Sequence, residues 1–240
     1  MSTYVYCITR SGDAGPLPED LTGVGDPPLP VRQLEQDGLT AVVSDCPGRL
    51  RPKRRDLLAH QRVLTEVGRK SAALPMRFGS IAEADDDVRD VLREHADSYR
   101  QKLQQLDGRV EYNIKAVHQQ EAVLHHVLAR NADLRARAEA NRRAGGGTYE
   151  ERLQFGELVA AAVRECETED AEAVRRALEP AAEGVRVGPE STGWFVNLSF
   201  LVTQADAERL LTAVRRLTDE LPHLELRVNG PLPPYSFTDA

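Results

Sequence analysis

Between residues 109 and 228 the spacing of apolar side chains changes period in a set order, and that order leaves few compact topologies open. Arg109–His118 alternates. Val110, Tyr112, Ile114 and Ala116 lie on one face, and Glu111, Asn113 and Lys115 on the other, as in a half-buried strand. A helical stretch follows over about 119–180, interrupted by Gly145-Gly146-Gly147. Three glycines inside a helix are costly, so they predict a turn between two antiparallel helices. Val185–Val187 and Trp194–Val202 read as strands joined through Gly188-Pro189 and Gly193. Ala205–Leu221 sets Leu210, Leu211, Val214 and Leu217 on one helical face, and Leu224–Val228 is a last strand. The four strands are expected in one antiparallel sheet.

The first half follows a related order. Thr3–Thr9 is rich in β-branched and aromatic residues, as strands are, and residues 10–29 carry the glycines and prolines of a loop. Val31–Gln36 and Leu39–Asp45 flank Asp37-Gly38, a strong hairpin signal. Lys53–Ser71 has helical spacing, Leu74–Phe78 reads as a short buried strand, and Ala84–Leu106 as a second helix. The expected fold class is α+β with two α/β domains. Residues 1–106 form a βββαβα unit, a modified ferredoxin-like order. Residues 107–229 form a ferredoxin-like βαββαβ unit with an inserted helical hairpin, and 230–240 a Pro-rich tail.

With 29% charged residues, 41% hydrophobic residues and a mean hydropathy of −0.45, the chain reads as a soluble globular protein. No run approaches the ~20 apolar residues of a membrane span. The N-terminus lacks the basic stretch and apolar core of a secretory signal. Cys7, Cys46 and Cys166 are odd in number and widely spaced, which fits a reducing cytoplasm better than a disulfide scaffold. A net charge of −7 opposes nucleic-acid binding.

Catalytic and cofactor motifs are hard to find. Gly23-Val-Gly25 lacks the third glycine and the helix of a dinucleotide site, and reads as loop. His118, His125 and His126 cluster where strand passes into helix. Adjacent helical residues diverge by about 100°, and no nearby carboxylate completes a shell, so a solvated helix face is expected rather than a metal. Neither metal nor cofactor is expected. Arg49–Arg55 is a basic cluster, read as a solvated loop or a contact for an acidic partner. Glu83, Asp85, Asp86, Asp87 and Asp90 suit a helix start, where the dipole favours negative charge. Arg77 sits among apolar neighbours, and burial with an acidic or carbonyl partner is expected.

Leu74-Pro-Met-Arg-Phe-Gly79, preceded by His60-Gln61, resembles the LPxRFG signature of the gas vesicle protein F/L family. Val110-Glu111 through Lys115 resembles its vE…vK strand, and Val196-Asn-Leu-Ser-Phe-Leu-Val202 its vNxaFLV run. Gly230-Pro-Leu-Pro-Pro-Tyr-Ser-Phe237 is similar to GPWPPYSF, with Leu232 where the family commonly has Trp. Tyr4-Val-Tyr6 fits the usual start. The resemblance implies a cytoplasmic, non-catalytic accessory or minor structural protein of gas vesicles. It would bind the small, apolar major shell protein, and other accessory proteins are further candidate partners. Arg77, Phe78, Glu111, Asn197, Pro233, Pro234, Tyr235 and Phe237 are the motif positions offered as partner-binding residues. Tyr235 and Phe237 either pack on the chain's own core, across the domain boundary, or face a partner; self-packing is the expectation. The alternative is a ferredoxin-like small-molecule enzyme or ligand sensor, for which only His60, Arg77 and Glu111 offer themselves.

Overall fold

The computed structural model describes residues 2–48 and 50–238. In chain order the elements are β1 (Thr3–Arg10), β2 (Val31–Gln36), β3 (Leu39–Asp45), α1 (Arg54–Gly68), β4 (Ala73–Pro75), β5 (Ile81–Ala82), α2 (Asp85–Glu94) and α3 (Ala96–Leu106). Then come β6 (Arg109–His118), α4 (Gln120–Arg130), α5 (Ala132–Arg143), α6 (Tyr149–Leu178), β7 (Gly184–Val187), β8 (Val196–Thr203), α7 (Ala207–Glu220) and β9 (Leu224–Leu232). The fold is α+β with two antiparallel sheets. The chain divides into two compact units, one running to Tyr112 and including the tail from Gly230, the other Asn113–Asn229. The tail, set apart by its composition, thus groups with the first unit.

In the first unit the strand order is β2-β3-β1-β4, with β5 also pairing β1. The β2–β3 hairpin turns at Asp37 (φ 50°) and Gly38 (φ 71°), the paired positive φ of a turn that matches strand twist. In β1 the register slips between Val5 and Cys7, a bulge that leaves Tyr6 without an opposite residue on β3.

The expected strand through Phe78 is shorter than its apolar composition suggests. Pairing with β1 stops at Pro75 and resumes at Ile81. Pro75 has no N–H for a ladder, and Gly79 at φ 91° bends the chain away. Residues 76–80 therefore bow out, tied back by Met76 N–H to the Tyr6 carbonyl and Val5 N–H to the Ser80 carbonyl.

The helix expected over 84–106 is two helices, broken at His95, whose backbone (φ −108°, ψ 17°) is not helical. Its acidic start is more than a dipole match. Asp87 accepts the Ala84 N–H at 2.8 Å, and Asp85 accepts from Thr3 and from Arg32 at 2.7 Å.

The four strand segments expected to share a sheet do so, in the order β7-β8-β6-β9. The glycine turn has positive φ at Gly145, Gly146 and Gly147, as expected of a helix–helix connection. The first arm, however, is α4 and α5 rather than one helix. Asn131 leaves helical geometry between them and caps α5 by accepting the Leu134 N–H at 3.0 Å. Val123, Val127, Leu134 and Cys166 pack together inside this insertion.

Candidate functional site

Phe78 and Tyr235 pack in the first unit on a cluster that contains Tyr4 and Tyr6, with His60 beside Tyr4, Tyr6 and Phe78. The two tyrosine rings stand 4.8 Å apart. Tyr6 Oη lies 2.9 Å from Ser44 Oγ and accepts the Val24 N–H at 2.8 Å. The loop passes so close that a Cβ on Gly23 would stand 1.8 Å from this oxygen. His60 Nε2 lies 3.2 Å from the Met76 carbonyl, an acceptor only, so Nε2 carries the proton and Nδ1 accepts from Tyr4 Oη at 2.8 Å. Burial lowers the His60 pKa to about 4, with the Met76 carbonyl opposing, so the ring is neutral near pH 7. Tyr4 Oη also accepts the Gly79 N–H at 3.2 Å. Phe78 stands edge-on to His60 and Tyr4. The group ties α1, β1 and the bowed 76–80 segment together.

Arg77 does not share this interior. Contrary to the burial expected of it, it is exposed. The bow at 76–80 turns Phe78 inward and Arg77 out. Of the basic cluster, Arg49 lies outside the described residues, while Arg51, Lys53, Arg54 and Arg55 are exposed. Arg55 pairs with Asp26.

Glu111 is buried, and its carboxylate holds the tail. Oε2 accepts the Ser236 N–H at 2.9 Å and Oε1 the Ser236 hydroxyl at 2.7 Å. Pro234 is buried, Pro233 and Phe237 are half-buried, and Tyr235 packs on the cluster that contains Tyr4, Tyr6 and Cys7. Burial pushes the Tyr235 hydroxyl and the Cys7 thiol up to about 12. The tail is not the stiff extended path that its prolines suggest. β9 continues to Leu232, and Tyr235–Phe237 forms a 3-10 turn. A Cβ on Gly230 would stand 2.5 Å from the Tyr112 ring.

In the second unit Asn197 braces the turn after β7. Its Nδ2 donates to the Pro189 carbonyl at 2.8 Å, its Oδ1 accepts from Asn113 at 2.9 Å, and its carbonyl accepts the Gly188 N–H at 2.7 Å. It borders a cavity of about 590 Å³ shared with Val187, Trp194 and Phe195.

Sequence reasoning missed a second cluster here. His118, expected on a solvated helix face, instead directs Nε2 to Asp170 Oδ2 at 2.8 Å. His223 Nε2 reaches the same oxygen at 2.8 Å, and Cys166 Sγ at 3.2 Å. Burial alone would raise the Asp170 pKa, but these three hydrogen bonds bring it down to about 2. Burial and the neighbouring carboxylate push the Cys166 thiol up to about 12. His126 stacks on His223 at 4.0 Å, while His125 is exposed. The i, i+4 spacing of Cys166 and Asp170 on α6 was the one local signal available.

His60 is buried against Tyr4 and Met76, Arg77 faces solvent, and Glu111 grips Ser236. These settings hold loops and a tail in place within an α+β chain of two antiparallel sheets. The chain belongs to the gas vesicle synthesis protein GvpL/GvpF family, whose model matches residues 2–239. It is 55% identical over 239 residues to gas vesicle protein F of Streptomyces sp. (strain CB03234), covering 100% of each chain. Gas vesicle protein L1 of Halobacterium salinarum is 26% identical, over 98% of this chain and 89% of that protein. The crystal structure of gas vesicle protein GvpF from Anabaena sp. PCC7120 superposes with a TM-score of 0.77 at 23% identity, over 100% of this chain and 98% of that one. No helix among the described residues is long and apolar enough to cross a membrane.

Proposed function

We propose that this protein is a non-catalytic gas vesicle assembly factor that binds the apolar major shell protein in the cytoplasm and delivers it to the growing vesicle. The observation that carries the reading is membership of the gas vesicle synthesis family along the whole chain. The full-length identity with a gas vesicle protein F favours an F-type role over an L-type one. Ferredoxin-like topology for the second unit belongs to the same proposal, supported by the strand order β7-β8-β6-β9. A shell subunit that assembles through apolar surface aggregates if left uncovered, and an acidic carrier can cover it.

The contact surface we assign is the outer face of α1. Leu57 and Leu58 are 43% and 54% exposed there. Leu58 also lines a cavity of about 240 Å³ with Pro28, Arg55, Ala59 and Arg62. Arg77, also exposed, is assigned to the partner. Phe78, Glu111, Pro233, Pro234, Tyr235 and Phe237 are assigned to the framework of the first unit that carries this face, and Asn197 to the turn after β7 in the second. Co-purification with the major shell protein at low and high salt tests the reading. A complex is expected in both, because screening weakens charge attraction and leaves apolar burial intact. Leu58→Asp is expected to lose the complex while remaining folded. No complex at either salt concentration would defeat the binding claim. Loss at moderate salt alone would defeat the apolar mechanism.

A further inference from the structure

Four side chains that can each offer one ligand atom to a metal meet in the second unit. The ligand atoms of His118, Cys166, Asp170 and His223 all lie within 4.8 Å of one another. His118 ends β6, Cys166 and Asp170 share one face of α6, and His223 stands just before β9. We propose that this cluster binds a divalent transition-metal ion of the zinc type, through two imidazole nitrogens, a thiolate and a carboxylate oxygen.

The donor set comes first. Two nitrogens, a sulfur and an oxygen match zinc, whereas magnesium and calcium take shells of oxygen. Spacing comes second. Nε2 of His118, Nε2 of His223 and Sγ of Cys166 lie 2.8, 2.8 and 3.2 Å from Asp170 Oδ2. Ligand atoms around tetrahedral zinc stand roughly 3.3–3.8 Å apart, so to admit the ion the three short pairs spread by about half an ångström while the wider pairs, which reach 4.8 Å, close toward that range. Crowding comes third. One carboxylate oxygen faces three donors, more than its own lone pairs serve well.

His118 Nδ1 is buried with no hydrogen-bond partner, so the far nitrogen does not fix the tautomer, and ligation through Nε2 would leave a buried unpaired N–H whose cost the ion has to offset. A cation at the centre gives every ligand atom a single partner. On binding, the Cys166 thiol releases its proton to solvent, and each imidazole carries its proton on Nδ1 while Nε2 ligates. A cavity of about 170 Å³ reaches Cys166 past His126, Glu165 and the Arg130–Glu169 ion pair, which gives an ion a path to the site. Four protein ligands leave no open position, so the ion would clamp β6, α6 and the turn before β9 rather than catalyse.

The full chain, stripped with chelator and dialysed, is titrated with zinc against a competing chelator, and cobalt(II) serves as the spectroscopic probe. One zinc per chain is expected, with a rise in Tm, and a thiolate-to-cobalt charge-transfer band. Cys166→Ser, which keeps a donor toward Asp170, is expected to lose the band and weaken zinc binding by more than the roughly 10–100-fold that loss of an outer partner costs. Cys46→Ser is expected to behave as the parent. Absence of saturable zinc binding by the parent chain would overturn the proposal whatever the variants do. Undiminished binding by Cys166→Ser would also overturn it, and would assign the ion to surface histidines such as His125.

Discussion

His60 sits between a tyrosine hydroxyl and a backbone carbonyl, and this arrangement sets how the first unit responds to acid. Its folded pKa of about 4 lies below the unfolded value of 6.5. Between those values the unfolded chain binds more protons, so stability rises with pH. The contribution is complete above pH ~6.5, declines as pH falls through ~4, and amounts to roughly 2–3 kcal/mol. Urea unfolding from pH 7 to 4 measures it, and His60→Gln is expected to flatten the profile over that window. Ser236 is the second test at this scale. Ser236→Ala removes one of the two hydrogen bonds to the buried Glu111 carboxylate, and is expected to cost about 1.5–3 kcal/mol, read as a lower urea midpoint at unchanged m. Arg77→Ala, by contrast, is expected to change stability by less than about 1 kcal/mol, because the side chain is exposed. Its position among apolar neighbours suggested burial, but the bend at Gly79 decides which way it points.

Elements show the same division. The α6 helix begins with a reciprocal cap. Thr148 Oγ1 accepts the Glu151 N–H at 3.2 Å, and a Glu151 carboxylate oxygen accepts the Thr148 N–H at 2.7 Å. Thr148→Ala is expected to cost about 1 kcal/mol, with faster amide exchange confined to the first turn of α6. That cap and the three glycines before it are local signals, readable in the chain. So are the Asp37-Gly38 turn and the alternation of β6. The breaks at His95 and Asn131 were not readable, because neither residue interrupts the helical period of its neighbours strongly. The division of 73–82 into two short strands comes from a proline and a glycine within an apolar run, where backbone geometry overrides the strand preference of the composition.

At the scale of the whole molecule, the tail from Gly230 completes the core of the first unit. A chain ending at Asn229 is expected to expose the surface around Tyr4, Tyr6 and Cys7, to bind a hydrophobic dye and to lower Tm. Calorimetry and dye fluorescence check this. An unchanged Tm would mean that the tail is held too weakly to serve the framework. The sequence alone determined the order of the strands in the second unit, the family, the Asp37-Gly38 turn and the glycine turn, but not the division of the insertion's first arm into α4 and α5. These depend on side-chain period, turn chemistry and short motifs, all local along the chain. Tertiary structure alone decided where Glu111, Asp170, His118 and His223 act. Glu111 meets Ser236 across a separation of 125 residues, and Asp170 meets His118 and His223 across 52 and 53. No local period encodes such pairings, because they follow from which strand lies beside which and which helix face covers them.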